Sequence, residues 1–271
     1  MLVITITLVL LLLILVILLL RKRTKEIEYK CFLLTLRKSS KRRSRFLRHH
    51  DPSIPLEIIY GVDTNNIETA KKYEKIIDPK YYKEALRLHY EGNKRSRPDI
   101  TFFNLGAIGC YVGHMEFYKR AFKQNLKYAV IFEDNVVVKD KSLYDKIQSV
   151  IDTMGDDFEM CFFHCLNRYS GKSDKSGIEP VKWISSTKCY LIHVDNMRKY
   201  HEHFFPIDNH IDMKHEDIVA RGARVFYKDL RGYMKIDRTH SSTIGHSDWK
   251  RKEYFSKRHP TATTKVLKSG Y

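Results

Sequence analysis

The sequence predicts an α/β fold with a largely parallel sheet, helices on both faces, and one membrane-spanning helix ahead of it. Three observations predict it. From residue 29 onward, short apolar runs alternate with longer segments of helical period, the pattern of a parallel sheet covered by helices. About 250 residues follow the apolar amino terminus, enough for one large domain with its own core. Third, residues 128–138 form an apolar strand that runs into Glu133-Asp134-Asn135 before turning apolar again. A strand that ends in adjacent acids places carboxylates at the carboxyl edge of a sheet, where open α/β folds bind ligands. Carboxylates there suit a hard divalent cation that also holds a diphosphate. Acids and Asn after a strand are equally ordinary turn formers, so both readings stand on this segment alone.

Residues 1–20 carry no charge, and Thr5 and Thr7 are their only hydroxyls. About 20 such residues span a bilayer. No basic residue precedes the run and Arg21-Lys22-Arg23 follows it, which fits an uncleaved anchor better than a signal peptide. The flanking charges place the rest of the chain on the cytosolic side; glycosylation of secretory cargo would instead require a lumenal domain. The expected organisation is an anchor over 1–20, a basic juxtamembrane linker over 21–28, the domain over 29–250 and a basic tail over 251–271.

Tyr29 to Leu36 reads as the first buried strand. Ser39-Ser40 offers a cap for a basic helix over 41–50, with Phe46 and Leu47 turned inward. Leu56 to Tyr60 is a second strand closed by Gly61-Val62-Asp63. Residues 67–92 read as helical with Pro79 interrupting, and 93–99 as a loop. A helix runs from Leu105 to about Gln124, with Ile108, Val112, Met115 and Phe122 near one face. After the Glu-Asp-Asn strand come a helix over 142–154 and a strand over 158–165. A polar loop is expected over 166–180, then a strand over 188–194 and a helix over 195–204. Residues 207–217 are dense in acids and histidines. A short helix and a strand over 224–227 complete the body.

The formal charge is +17. Residues 21–50 contribute +10 and 250–271 contribute +6, leaving +1 for 51–249. A basic segment beside a span is drawn to anionic headgroups. The near-neutral body disfavours a nucleic-acid groove. The five cysteines are odd in number and lack zinc-finger spacing, which argues against a disulfide framework.

Several blocks in order resemble glycosyltransferase family 25, which includes lipopolysaccharide and collagen galactosyltransferases. They are Leu34-Thr35-Leu36-Arg37 with Arg42-Arg43 and Phe46; Gly61-Val62-Asp63; Leu105-Gly106-Ala107-Ile108-Gly109-Cys110-Tyr111-Val112-Gly113-His114, similar to a Gly-x-x-Gly-Cys-x-x-Ser-His pattern; Phe132-Glu133-Asp134-Asn135; Ile211-Asp212; and Ser242-Thr243-Ile244-Gly245. The set spans roughly 29–250; its order, not any one block, is specific.

The resemblance implies a glycosyltransferase-A (Rossmann-like) fold, a nucleotide-sugar donor and a divalent metal such as Mn2+, held by Glu133, Asp134 and Asn135. A metal at strand-end acids would stabilise the departing diphosphate without proton transfer. Arg37 and Arg42, beside a helix amino terminus, suit phosphate oxygens; the alternative is a solvated basic face. Asp63 is either a ribose acceptor or a turn residue. Asp134 also joins the donor contacts. His114 follows Cys110 by one turn, a spacing open to metal, but such a pair is more often core plus a satisfied histidine. His114 is therefore read as a positioning or nucleotide-contacting residue, not as a structural zinc ligand. The resemblance points to Asp212 as the base that takes the acceptor hydroxyl's proton in an inverting transfer, with Asp208, Glu216 and Asp217 nearby.

Two positions depart from the family pattern. Asn135 stands where an Asp is usual, and Gly113 where a Ser is usual. They motivate an alternative: an inactive relative kept as a membrane-bound binding or scaffold protein. The leading expectation is a membrane-anchored enzyme that moves a hexose such as galactose from a UDP-sugar to a glycan, lipid or protein.

Overall fold

The computed structural model describes residues 27–91 and 102–237. The expected anchor, nearly all of the basic linker, the 93–99 loop, Ser242 to Gly245 and the basic tail lie outside the described residues. Among the described residues, no helix is long and apolar enough to cross a membrane.

The chain order is β1 (Tyr29–Thr35), α1 (Ser40–His49), β2 (Leu56–Tyr60), α2 (Ile67–Lys71), α3 (Pro79–Tyr90), α4 (Leu105–Lys123), β3 (Tyr128–Glu133), β4 (Val136–Val138), α5 (Ser142–Met154), β5 (Met160–Phe162), β6 (Asn167–Ser170), β7 (Ile178–Ser185), β8 (Cys189–His193), α6 (Val194–Arg198), α7 (Ile211–Ala220), β9 (Val225–Lys228) and β10 (Met234–Ile236). Eight strands form one sheet in the order β2-β1-β3-β8-β5-β9-β7-β6, and β10 pairs with β4 separately. β2, β1 and β3 are parallel, as are β5 and β9. β8 runs antiparallel to both β3 and β5, and β7 to both β9 and β6. The sheet is therefore mixed. The parallel expectation describes its β2-β1-β3 part and the β5–β9 pair.

Alternation along the strands divides the core in two. Phe32, Ile131, Phe162, Tyr190 and Ile192 face α3, α4, α6 and α7. Cys31, Leu33, Val130, Phe132 and Leu191 face α1, α5 and the β4–β10 ribbon. Because both faces are covered, the strands read as unbroken apolar runs.

The helices start where local chemistry lets them. Asn104 caps α4 by accepting from Ala107 N at 3.0 Å. Asp78 caps α3, with Pro79 in its first turn; this proline opens a helix, where its missing N–H costs nothing. α4 buries residues on most of its circumference, as a helix wedged between sheet and other helices must. Two glycines allow that depth. A Cβ on Gly109 would collide with the Val62 carbonyl and lie 2.6 Å from Thr64 Oγ1, and one on Gly113 would lie 2.8 Å from Leu34 Cδ1.

Three local expectations are corrected. Phe46 is fully buried, but Leu47 is 42% exposed: consecutive residues on a helix diverge by about 100°, so only one can face the sheet. Ser39 precedes α1 without a side-chain cap bond. The supposed loop over 166–180 contains β6 and the start of β7, where Arg168 binds Glu179 at 2.9 Å across the hairpin.

Candidate active site at the carboxyl edge of the sheet

The parallel strands β2, β1 and β3 end together at one edge, and the turns that leave them carry most of the predicted residues. After β1, Leu36 to Ser39 turns into α1, with Ser39 N donating to Leu36 O at 2.9 Å. The first turn of α1 contains no acid and carries Lys41, Arg42 and Arg43. Cations at a helix amino terminus oppose its dipole. Arg37 is exposed and stacks over Tyr60 at the end of β2, 4.4 Å from the ring centre; Arg43 sits 5.4 Å from the same ring. Tyr60 is 39% exposed. Asp63 pairs with Lys38. Arg37 and Asp63 thus belong to one exposed, polar and aromatic rim.

Arg42 points the other way. It is buried and lies 3.4 Å from Asp134 Oδ1. Asp134 Oδ2 accepts from Thr35 Oγ1 at 2.8 Å, and Asp134 N donates to Leu34 O at 3.0 Å. Both carboxylate oxygens are engaged within the protein. Burial pushes the Asp134 carboxyl up, and the Glu133 charge beside it adds to this, against the opposing pull of Thr35 and Arg42.

Glu133 turns toward α4 and the β7–β8 connection. Its Oε1 accepts from Thr187 Oγ1 at 2.7 Å, and its Oε2 lies 3.7 Å from Lys188 Nζ. Burial pushes this carboxyl up, but the Lys188 ammonium, His114 and the Thr187 hydroxyl outweigh burial and hold it well below the usual range. His114 is fully buried, with Nδ1 bonded to the Tyr190 hydroxyl at 2.8 Å. Its Nε2 faces Glu133 Oε1 at 3.7 Å, beyond hydrogen-bond reach, and has no hydrogen-bond partner among the described residues. Asn135 accepts from Asp237 N through its backbone carbonyl at 2.6 Å, while its buried Oδ1 accepts no hydrogen bond among the described residues.

These geometries bear on the expected cation. Asn135 offers a side-chain oxygen that accepts no hydrogen bond among the described residues. Asp134 is locked to Thr35 and Arg42, and Glu133 faces α4. The turn as it stands does not fit a cation held jointly by all three.

Asp212 lies in the first turn of α7 and is 8% exposed. Its Oδ2 accepts from Ser186 N and its Oδ1 from Met213 N, each at 3.1 Å. Ser186 has φ +101°, a left-handed backbone that L-residues adopt only when their surroundings hold it. Consecutive residues of one connection, Ser186 and Thr187, thus bind Asp212 and Glu133. This link is what the sequence reading missed, along with Lys188 and His164. The signal was a Ser-Ser-Thr-Lys run between two apolar strands, at first sight only a polar turn. Asp208, another candidate, pairs with buried Lys214 at 2.6 Å. His240 and His246, which flank the Ser242 to Gly245 block in the sequence, lie outside the described residues.

Residues 28–213 match the model of Glycosyltransferase family 25 (LPS biosynthesis protein). None of the curated proteins matches the chain. Among solved structures, it is similar to a protein from STIV, at TM-score 0.42 and 9% identity over 81% of this chain and 98% of that one. A glycosyltransferase involved in glycosylation of the major capsid of PBCV-1 aligns at TM-score 0.38 and 12% identity, over 84% of this chain and 98% of that one. The mannosyltransferase PcManGT from Pyrobaculum calidifontis, solved in complex with GDP-Man and Mn2+, aligns at TM-score 0.37 and 13% identity, over 78% of this chain and 59% of that one. The family assignment rests on the match over 28–213.

Proposed function

Because the chain belongs to glycosyltransferase family 25, and is therefore a glycosyltransferase, we propose that it transfers a hexose from a UDP-sugar to a glycan, lipid or protein hydroxyl with inversion. One observation carries the reading of the donor: the uncapped, basic amino terminus of α1 opens beside the exposed Arg37–Tyr60 stack and Asp63. A diphosphate there would relieve the unfavourable meeting of cations and helix dipole. Tyr60 offers a face to a base, and Asp63 an acceptor to ribose hydroxyls. Arg42 serves differently in this reading, as the buried counter-charge that holds Asp134 and the β3 turn in place.

Asp212 is the base. Its anchorage to Ser186 N and Met213 N fixes the carboxylate and leaves each oxygen a second lone pair for an acceptor hydroxyl. As the acceptor oxygen bonds to the sugar's anomeric carbon, the bond to the diphosphate breaks. The hydroxyl proton goes to Asp212, and the nucleoside diphosphate leaves with its electron pair. The Arg37 guanidinium and the α1 N–H groups meet the growing charge. A divalent metal such as Mn2+ would supply further stabilisation of the leaving diphosphate when bound, but the Asp134 oxygens, engaged by Thr35 and Arg42, do not fit it to this turn.

The anchor belongs to the same reading: residues 1–20 hold the enzyme in a membrane, with the basic flank favouring the cytosolic side. Protease protection on sealed vesicles checks the side. The central experiment is calorimetric titration of UDP-hexoses and GDP-mannose into the purified protein, with and without Mn2+, alongside sugar release. UDP-hexose binding that Arg37→Ala weakens by about tenfold or more supports the reading. A chain that binds no nucleotide sugar under either condition refutes it and leaves the scaffold alternative.

A further inference from the structure

We infer that Cys110, His114 and Glu133 form a binding site for a zinc-type divalent cation, joining α4 to the end of β3. Cys110 and His114 are one helical turn apart and face the same strand end. Their ligand atoms and a Glu133 oxygen all lie within 4.8 Å of one another. The second observation is the state of His114: it is fully buried, yet Nε2 has no hydrogen-bond partner among the described residues and points into this cluster. Burying a ring nitrogen without a partner is costly, and a metal ion removes that cost.

The surroundings are those of a metal ligand set. A neutral His114 that donates from Nδ1 to the Tyr190 hydroxyl oxygen at 2.8 Å presents its Nε2 lone pair to the cluster, as metal-bound histidines do when an outer partner fixes their tautomer. Thr187 donates to Glu133 Oε1 at 2.7 Å and orients that carboxylate. A thiolate and a carboxylate together neutralise a dication, which offsets the repulsion of Lys188, 3.7 Å from Glu133 Oε2. The donor set decides the metal. Sulfur, imidazole nitrogen and one carboxylate suit Zn2+ or Co2+, whereas Mg2+ and Mn2+ prefer oxygen. Three protein ligands leave a fourth position for water. The site uses none of the Arg37, Tyr60 and Asp63 side chains of the exposed rim, and its existence does not depend on the sugar donor.

The test uses the full chain and Co2+, read by absorption, without any sugar substrate. One Co2+ per chain is expected, with a thiolate-to-cobalt charge-transfer band that Zn2+ abolishes. Cys110→Ser should remove the band and weaken Co2+ binding by at least about tenfold, and His114→Gln should weaken it comparably. Cys165→Ser, which alters a buried cysteine outside the cluster, should change neither. X-ray absorption of the Zn2+-loaded wild type keeps the inference testable if a variant fails to fold: one sulfur among nitrogen and oxygen neighbours is expected. A wild type with no thiolate band, a band that survives Cys110→Ser, or a zinc shell without sulfur would each overturn it.

Discussion

Asp212 and His164 show what burial does to two side chains near one sheet edge. Asp212 is held by two backbone N–H groups, and an amide in its place keeps one acceptor oxygen while losing the base. Asp212→Asn should therefore lose about 1–3 kcal/mol of stability from the backbone N–H left without its acceptor and keep its donor affinity, yet lose about 10²–10⁴-fold in turnover. Asp208→Asn, which removes only the partner of Lys214, should leave turnover near wild type, and initial rates at saturating donor compare the two. His164 is buried, and its Nδ1 has no hydrogen-bond partner among the described residues. Burial first, then the Lys188 and Arg231 charges, lower it from 6.5 to about 4, against the weaker pull of Glu133 and Asp229. The unfolded chain then binds the proton more readily than the folded one. Stability is full above about pH 6.5 and falls as pH drops toward 4, by about 2 kcal/mol between pH 7 and 5 from this group. Urea unfolding at the two pH values, on wild type and His164→Gln, reads the difference; equal losses in both would refute the assignment. Of these residues the sequence made Asp212 visible through family resemblance. His164 lies two residues beyond the apolar strand β5, where nothing local marks a histidine whose Nδ1 finds no hydrogen-bond partner among the described residues.

Among elements, α4 is the best-specified, because its cap, its glycines and its apolar faces all agree. Gly113, which departs from the family's serine, packs against Leu34, and a side chain there would push only on a flexible leucine tip. Gly109 meets the Val62 backbone carbonyl instead, and backbone cannot step aside without moving the turn that carries Asp63. Gly109→Ala should cost about 1–3 kcal/mol and more than Gly113→Ala does. Thermal melts of the two variants rank them, and the reverse order would place the tight contact on the wrong side of α4. The β6–β7 hairpin was the least legible element. Residues 166–180 are polar and contain Gly and Ser, so composition resembles a loop. The hairpin is built from cross-strand pairs that local pattern does not encode, among them Arg168 with Glu179 and Ser170 Oγ with Glu179 Oε2 at 2.6 Å. The three-residue β10 is too short to show a period, and only its pairing with β4 defines it.

At the scale of the molecule, one sheet serves two cores, and that arrangement also explains what the sequence concealed. A strand buried on both faces is apolar throughout whichever way it runs. The composition of β8 therefore announced a strand but not that it lies antiparallel between β3 and β5. The α/β class and the edge carrying Glu133 were legible, while the mixed strand directions were not. The same arrangement predicts how the domain unfolds. Phe32 packs edge-on against Phe117 of α4 at 5.3 Å between ring centres, and Phe132 packs against Phe46 of α1 at 5.3 Å. The two rings lie in opposite cores, yet β1 and β3, which carry them, are hydrogen-bonded neighbours. Neither core can be lost while the other keeps its wall. Phe32→Ala and Phe132→Ala should each cost about 3–5 kcal/mol, a large share of the roughly 5–15 kcal/mol typical of a domain. Each should shift a single denaturant transition to lower midpoint with its slope unchanged, since the slope follows the surface exposed by the whole unit. Circular dichroism and tryptophan fluorescence should then trace one curve in both variants. A second transition in either variant, or two probes that separate, would mean that the helices on one face unfold independently of the sheet.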